Sequence, residues 1–319
     1  MAKVTLKDIA KRAGVSVALV SNYLNRRPCA RMSEETRKKI DVAITELNYR
    51  GSVIARSLRT GKSNIIGYVM LNTRTEIFQN EMLAVLDAAA ARNYQIFIDF
   101  STDGADTLDR IDMLTARGCD AFVVSGVFNE EITARICEKN NPLVILNSHP
   151  FASAPGKLLR YDYRCAVREC IEYLQAKGHS EIFYYNEPVL VSDQRYLEFC
   201  EHFGTEKVWN VPEPSFENWL EFHKKHPECT AIMHSNDIRA MKTIQYCRKS
   251  GIRIPEDIAI IGFDDIKAAE CTSPPLSSIC KPLKQAADFA VQALIDQLNG
   301  REYTLPESLP CRFIPRESI

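Results

Sequence analysis

Short apolar runs alternate with helix-length stretches from Asn64 onward, and no other feature constrains the fold so much. The first series is IIGYVML, YQIFIDF, AFVVSG and LVILNS, with helical stretches near 79–92, 106–117 and 130–139 between them. Past Leu159 a second series begins: helix 164–177, strand IFYYN, a helix near 193–203, strand KVWNV, a helix near 216–225, strand TAIMHS, helix 237–250 and strand IAIIGF. Strands that follow helices in this way form parallel sheets covered on both faces, because each crossover lays a helix on the sheet. Two series predict a two-lobed, doubly wound α/β body. Ligands of such sheets sit beyond the carboxyl ends of the strands. Asn236 and Asp237 follow TAIMHS, Asp264 and Asp265 follow IAIIGF, and Arg195 opens the helix after IFYYN. Asp237 also reads as a cap of its helix, and Asp265 as a loop residue.

The first 49 residues read differently. Thr5 and Asp8 have the spacing of a capping box, and Leu6, Ile9, Ala10 and Ala13 then fall on one helical face. Gly14 stops that helix in a position suited to a left-handed turn. Ser16 caps a second helix to about Asn25, with Val20 and Tyr23 inward and Val17, Ala18, Ser21 and Asn22 outward. Ser33 caps a third, with Glu34 and Glu35 in its first turn and a buried stripe of Ile40, Ala43, Ile44 and Leu47. Two short helices joined by a glycine turn, with an alanine at the close approach, form a DNA-reading helix-turn-helix.

Charge supports that division. Residues 1–62 carry 14 Lys and Arg against 5 Asp and Glu, a net of +9, and the remainder carries 26 against 36, a net of −10. A basic head on an acidic body suits nucleic-acid binding by the head alone. The eleven cysteines are scattered singly and the six histidines are isolated, so free thiols are expected and no metal site. His223 and His226 in HKKHP read as a solvated helix end. No run approaches the roughly 20 apolar residues of a membrane helix, and the amino terminus lacks a signal-peptide core. The expected location is cytoplasmic, nucleoid-associated, with no membrane partner. No G-x-S-x-G elbow, P-loop or G-x-G-x-x-G occurs, so neither an enzyme nor a cofactor is expected.

LKDIAKRAGVSVALVSNYLN, MSEETRKKIDVAITELNYR and IARSLRTGKSNIIGYV, followed by KGHSEIFYY, SNDIRAM, SGIRIPEDIAIIGFDDI, TSPPLSSICKPL and IPRES, resemble the lactose-repressor/galactose-repressor family over the whole chain. The resemblance implies an all-α helix-turn-helix head (1–49), a hinge (50–62) and a periplasmic-binding-protein-like body (63–319). Within the body it implies one lobe of about 63–160 plus 280–319 and another of about 161–279, with crossings near Tyr161–Tyr163, Leu276–Ile279 and the carboxyl terminus. It implies a homodimer on double-stranded operator DNA and a small-molecule effector, a sugar or sugar derivative. The residues placed on DNA are Thr5, Leu6, Ser16, Val17, Ala18, Ser21, Asn22 and Asn25, with Arg56 and Leu58 in the hinge, Leu58 as a minor-groove wedge. Phe78, Asp162, Arg195, Asn236 and Asp264 match the effector site, Asp162 either touching ligand or bracing Arg195. No trailing heptad helix of the tetrameric relatives follows IPRES.

Several positions depart from the family's common pattern. Leu19 stands for a usual Thr and Asn22 for a usual Arg, which moves base preference from guanine toward adenine. Gly51-Ser52 replaces Pro-Asn. Thr75-Glu76 replaces another Asn-Pro, Ile77 replaces an aromatic, and Val189 and Val191 stand where some relatives are polar. A nucleoside-like or other polyol ligand therefore stays open beside a sugar, as do repression and activation.

Overall fold

The computed structural model describes residues 4–24, 32–49, 61–71, 75–126, 128–146, 154, 156–186, 193–211 and 215–319. Asn25, Gly51, Ser52, Arg56, Leu58, Val189 and Val191 lie outside the described residues. The chain divides into two compact units, Met1–Ser63 and Asn64–Ile319.

The first unit holds α1 (Leu6–Ala13), α2 (Val17–Leu24) and α3 (Glu34–Glu46). The Asp8 carboxylate accepts the Thr5 backbone N–H at 2.8 Å and the Thr5 hydroxyl at 2.7 Å. Gly14 ends α1 at φ +66°, and open space surrounds the place of a side chain there, so backbone strain alone selects glycine. Ser16 Oγ accepts the Leu19 N–H at 3.2 Å at the start of α2. The helices meet over Ile9, Ala10, Ala13, Val20, Ile40 and Ala43. The Tyr23 hydroxyl ties α2 to α3 by donating to Asp41 at 2.6 Å.

The second unit contains two parallel sheets. The first orders its strands β11-β5-β4-β3-β1-β2, where β1 is Ile65–Leu71, β2 Gln95–Ser101, β3 Ala121–Ser125, β4 Leu143–Leu146, β5 Leu158–Asp162 and β11 Ser308–Pro310. Two of these, β5 and β11, are additions to the four apolar runs legible in sequence. Helices α4 (Glu76–Ala90), α5 (Gly104–Ala116), α6 (Glu130–Cys137) and α11 (Leu283–Leu298) belong with this sheet. The second sheet orders β7-β6-β8-β9, with β6 Ile182–Asn186, β7 Val208–Asn210, β8 Ala231–His234 and β9 Ala259–Ile261. Its helices are α7 (Arg164–Ala176), α8 (Gln194–Phe203), α9 (Phe216–Lys225) and α10 (Asp237–Ser250). In both sheets the first strand lies between its second and third, so each reverses direction there and opens a crevice at its carboxyl end.

The segments passing between the lobes run side by side. The Cys311 N–H donates to the Asp162 carbonyl at 2.8 Å, and β10 (Ser278–Cys280) pairs antiparallel with β12 (Arg312–Ile314). The chain end then joins the second sheet: Ile260 N–H donates to the Ser318 carbonyl at 2.9 Å, and Ser318 Oγ to the Ile260 carbonyl at 2.6 Å. The last residues thus leave the first lobe, because β9 is an edge with unpaired backbone groups to satisfy.

One core runs across one face of each sheet, and the opposite face of the first sheet has a core of its own around Val69, Ile111 and Phe122. The opposite face of the second sheet carries an aromatic cluster. His223 and His226 belong to it and are half-buried: His223 stacks on Trp219 at 5.6 Å, and His226 lies 4.8 Å from the Phe183 ring. The expected solvated helix end is thereby corrected, since an imidazole has an apolar face to bury. At the outer edge of the first sheet, β2 exposes Phe97, Ile98 and Phe100. The described cysteines are all free, and no described helix is long and apolar enough to cross a membrane.

Candidate functional site

Two places collect the predicted residues. In the head, Val17 and Ala18 are exposed on the first turn of α2, Ser21 and Asn22 are half-buried one turn later, and Val20 is buried behind them. The buried valine and the Tyr23–Asp41 bond hold the helix by its inner face, leaving the outer face for contacts. Thr5 and Ser16 are exposed at the starts of α1 and α2, where backbone N–H groups point outward. Leu6 is half-buried against the head core.

In the body, Arg195 opens α8 and is the most constrained side chain of the cleft. Its Nε and Nη2 donate to the two oxygens of Asp193 at 2.7 and 2.6 Å, and its Nη1 to the Ser235 carbonyl at 2.6 Å. The guanidinium lies 5.3 Å from both the Tyr163 and Phe263 rings. Burial alone would push the Asp193 carboxyl up; the Arg195 charge and its hydrogen bonds outweigh that and hold it below the usual carboxylate range. Asp193, which sequence reasoning missed, is therefore the brace of Arg195. Asp162 is not: Arg164 takes both its oxygens, Nε at 3.0 Å and Nη2 at 2.7 Å. The signal for Asp193 was local, an acid at the helix cap two residues before the arginine.

Asn236 caps α10, its Oδ1 accepting the Arg239 N–H at 3.0 Å. Asp264 follows β9 at φ +107°, a conformation costly for a residue with a side chain and frequent at ligand clamps. Its Oδ1 lies 2.9 Å from Lys281 Nζ, close enough for an ion pair though not aligned as a directed hydrogen bond. Lys281, also missed, is buried on the crossing between β10 and α11, its ammonium 5.7 Å from the Tyr161 ring. Burial opposes its charge, but Asp264 wins and raises the ammonium above the usual lysine range.

Asp237 is not a ligand group. It is wholly buried, accepts the Ile266 N–H at 2.8 Å and the Ser278 hydroxyl at 2.6 Å, and so pins the loop that carries Asp264. A side chain at Gly262 would meet Asp237 Oδ1 at 2.0 Å, which explains glycine there. Asp265 pairs with Arg316 at 2.7 Å. His234 lies beneath the site; burial drives its imidazole down to about 3, so it is neutral and serves packing.

Phe78 stands half-buried on the first turn of α4. That turn reaches the second lobe, because Glu76 Oε1 accepts the Lys267 N–H at 3.2 Å. Arg195, Asn236, Asp264 and the first turn of α4 are thus gathered around the cleft, while the Asp162 carboxylate is turned to its own helix. Farther along α4, buried Glu81 accepts the Tyr161 hydroxyl at 2.9 Å and the Tyr68 hydroxyl at 3.2 Å, and is bonded to Ser125. Among the described residues no group of three His, Cys, Asp or Glu has the geometry of a metal site.

Comparison with known proteins finds relatives of both units. Residues 5–52 match the profile of bacterial regulatory proteins of the lacI family, and residues 171–319 match a periplasmic binding protein-like domain. The probable transcriptional repressor ExuR of Bacillus subtilis is 30% identical over 99% of this chain and 98% of its own. The repressor PurR of Aliivibrio salmonicida is 28% identical over 94% and 93%. Among solved structures, the Lac repressor dimer bound to operator and the anti-inducer ONPF superposes with a TM-score of 0.84, at 20% identity and 99% coverage of each chain. The regulator CelR in complex with cellobiose superposes at 0.67, with 21% identity and coverage of 99% and 100%.

Proposed function

Since the chain belongs to the lacI family of bacterial regulatory proteins, we propose that it is an effector-responsive repressor of carbohydrate-uptake or catabolism genes, binding a palindromic operator as a homodimer. The observation that carries this reading is α2: a short helix anchored by Val20 and Tyr23 that leaves Val17 and Ala18 bare. A helix so held can enter a major groove with side chains already placed. Thr5, Leu6, Ser16, Ser21 and Asn25 support it on the backbone and groove edges, Asn22 reads a base, and Arg56 and Leu58 act in the adjacent minor groove. The basic charge of residues 1–62 supplies phosphate contacts that the acidic body lacks.

The body supports the effector half of the reading. Arg195, Asn236 and Asp264 offer donors and acceptors of the kinds that hold hydroxyl groups, and Phe78 supplies an aromatic face for the apolar side of a ring. Asp162 acts on the first turn of α7. The exposed apolar edge at β2 suits the self-pairing of a dimer.

The test is selection of random duplex DNA with the full chain, followed by gel shifts. A two-fold symmetric site is expected, and Asn22→Arg should move one position of each half-site toward guanine by about 1–3 kcal/mol. A selected pool without symmetry, or an unchanged half-site for the variant, refutes the assignment.

A further inference from the structure

We propose that Asn186 and Ser235 are further effector-contacting residues, a specificity-determining pair that takes neighbouring hydroxyls of an uncharged polyol. The proposal rests on the reading of the interlobe cleft as an effector site. The cleft's obvious groups are already engaged. Arg195 has Asp193 and the Ser235 carbonyl, Asp264 has Lys281, and the Asn236 oxygen has its helix.

Asn186 and Ser235 differ. Asn186 ends β6 with no exposed surface; its Nδ2 donates to Asn210 Oδ1 at 3.2 Å, and its Oδ1 has no partner. Ser235 follows β8 and is 1% exposed, and its Oγ has no partner either. The register places Tyr185 opposite His234, so the next residues, Asn186 and Ser235, come side by side at the strand ends. Adjacent strands are about 4.8 Å apart, a distance that two hydroxyls of one small ring can span. The place is the reversal point of the second sheet, where β6 has β7 on one side and β8 on the other. Ser235 is also the residue whose carbonyl receives Arg195, so the pair adjoins that guanidinium.

A buried polar atom left without a partner costs stability, so two of them at one strand-end crevice point to a ligand. The ligand's class follows from charge. An amide and a hydroxyl are neutral, the two cations beside them are paired, Arg195 with Asp193 and Lys281 with Asp264, and Arg239 lies over the Tyr185 ring, the residue before Asn186. The two ion pairs beside Asn186 and Ser235 carry no net charge with which to recognise a carboxylate or phosphate.

The experiment uses the full chain, its Ser235→Ala variant and the near-isosteric Asn186→Leu variant. Melting curves and calorimetric titrations are run with D-glucose, D-galactose, D-ribose and D-mannitol, and with D-glucuronate and D-glucose 6-phosphate as charged counterparts. Both variants should melt at or above the wild-type temperature. A neutral probe that binds the wild type should lose roughly tenfold in affinity in each variant, the scale of one neutral hydrogen bond. Variants that melt several degrees lower would make the pair structural. Unchanged affinity in both, or wild-type preference for a charged probe over its neutral counterpart, overturns the assignment while leaving the cleft an effector site. A wild type that answers none of the six removes the sugar-effector reading itself, and the pair with it.

Discussion

Replacing Asp237 by Asn should flatten the pH dependence of stability and reverse the order of the two proteins between acid and alkali. The carboxyl is wholly buried, and burial is the main reason its pKa rises from 3.8 to about 8; the charges of Asp264 and Asp265 add to the rise, while the Ser278 and Ile266 hydrogen bonds oppose it. The folded protein therefore holds this proton far more tightly than the unfolded chain. Its contribution is complete below about pH 4, declines as the unfolded carboxyl ionises, and is lost once pH passes about 8. A shift of some four units, at about 1.4 kcal/mol each, amounts to roughly 5 kcal/mol across that window. The carboxamide keeps the Ile266 contact through its oxygen, reverses the Ser278 bond by donating its nitrogen to Ser278 Oγ, and has no charge to lose. Urea unfolding of both proteins at intervals from pH 5 to 9 measures the effect, and subtracting one curve from the other cancels every other titrating group. The variant should equal or fall slightly below the wild type at pH 5 and exceed it by several kcal/mol at pH 9. A difference that stays constant across the range would refute the argument, because it would mean that Asp237 is ionised throughout in the folded protein.

Asp193→Ala should destabilise the body by about 3–5 kcal/mol, since it leaves a buried guanidinium without its carboxylate. Pairing it with Arg195→Met should restore most of that loss in thermal melts; a double variant as unstable as the sum of the singles contradicts the coupling. Gly14→Ala should cost the head about 1 kcal/mol, because alanine is strained at φ +66° although nothing crowds it. Helix melting in a head whose midpoint does not move would show that the turn relaxes.

The head was legible because its signals are local. Thr5 and Asp8, Gly14 and Ser16 act within a few residues of themselves, and each appears in the structure in its expected place. The apolar strands were legible for a related reason, since burial on both faces leaves few polar residues in the run. The short strands were not: β11 spans only Ser308–Pro310 and has no periodicity to read. The pairing of Lys281 with Asp264 was hidden as well, because it depends on the crossing of β10 into α11 beside the end of β9. Asp237 looked like a helix cap, and its burial under Gly262 and Ser278 is set by a loop 25 residues and more downstream. Asn186 reads in sequence as the polar end of a strand; only the fold shows that it is covered.

Self-pairing through the exposed apolar edge at β2 would make protein concentration a variable of the fold. If two copies cover Phe97, Ile98 and Phe100 against each other, association and folding are linked by mass action, and the apparent melting temperature rises with total protein. Stabilities of variants are then comparable only at one concentration. If the heads also bind a symmetric operator as proposed, dilution becomes a perturbation in its own right: it lowers operator occupancy twice over, once by mass action on the protein–DNA complex and once by depleting the paired heads that a symmetric site requires.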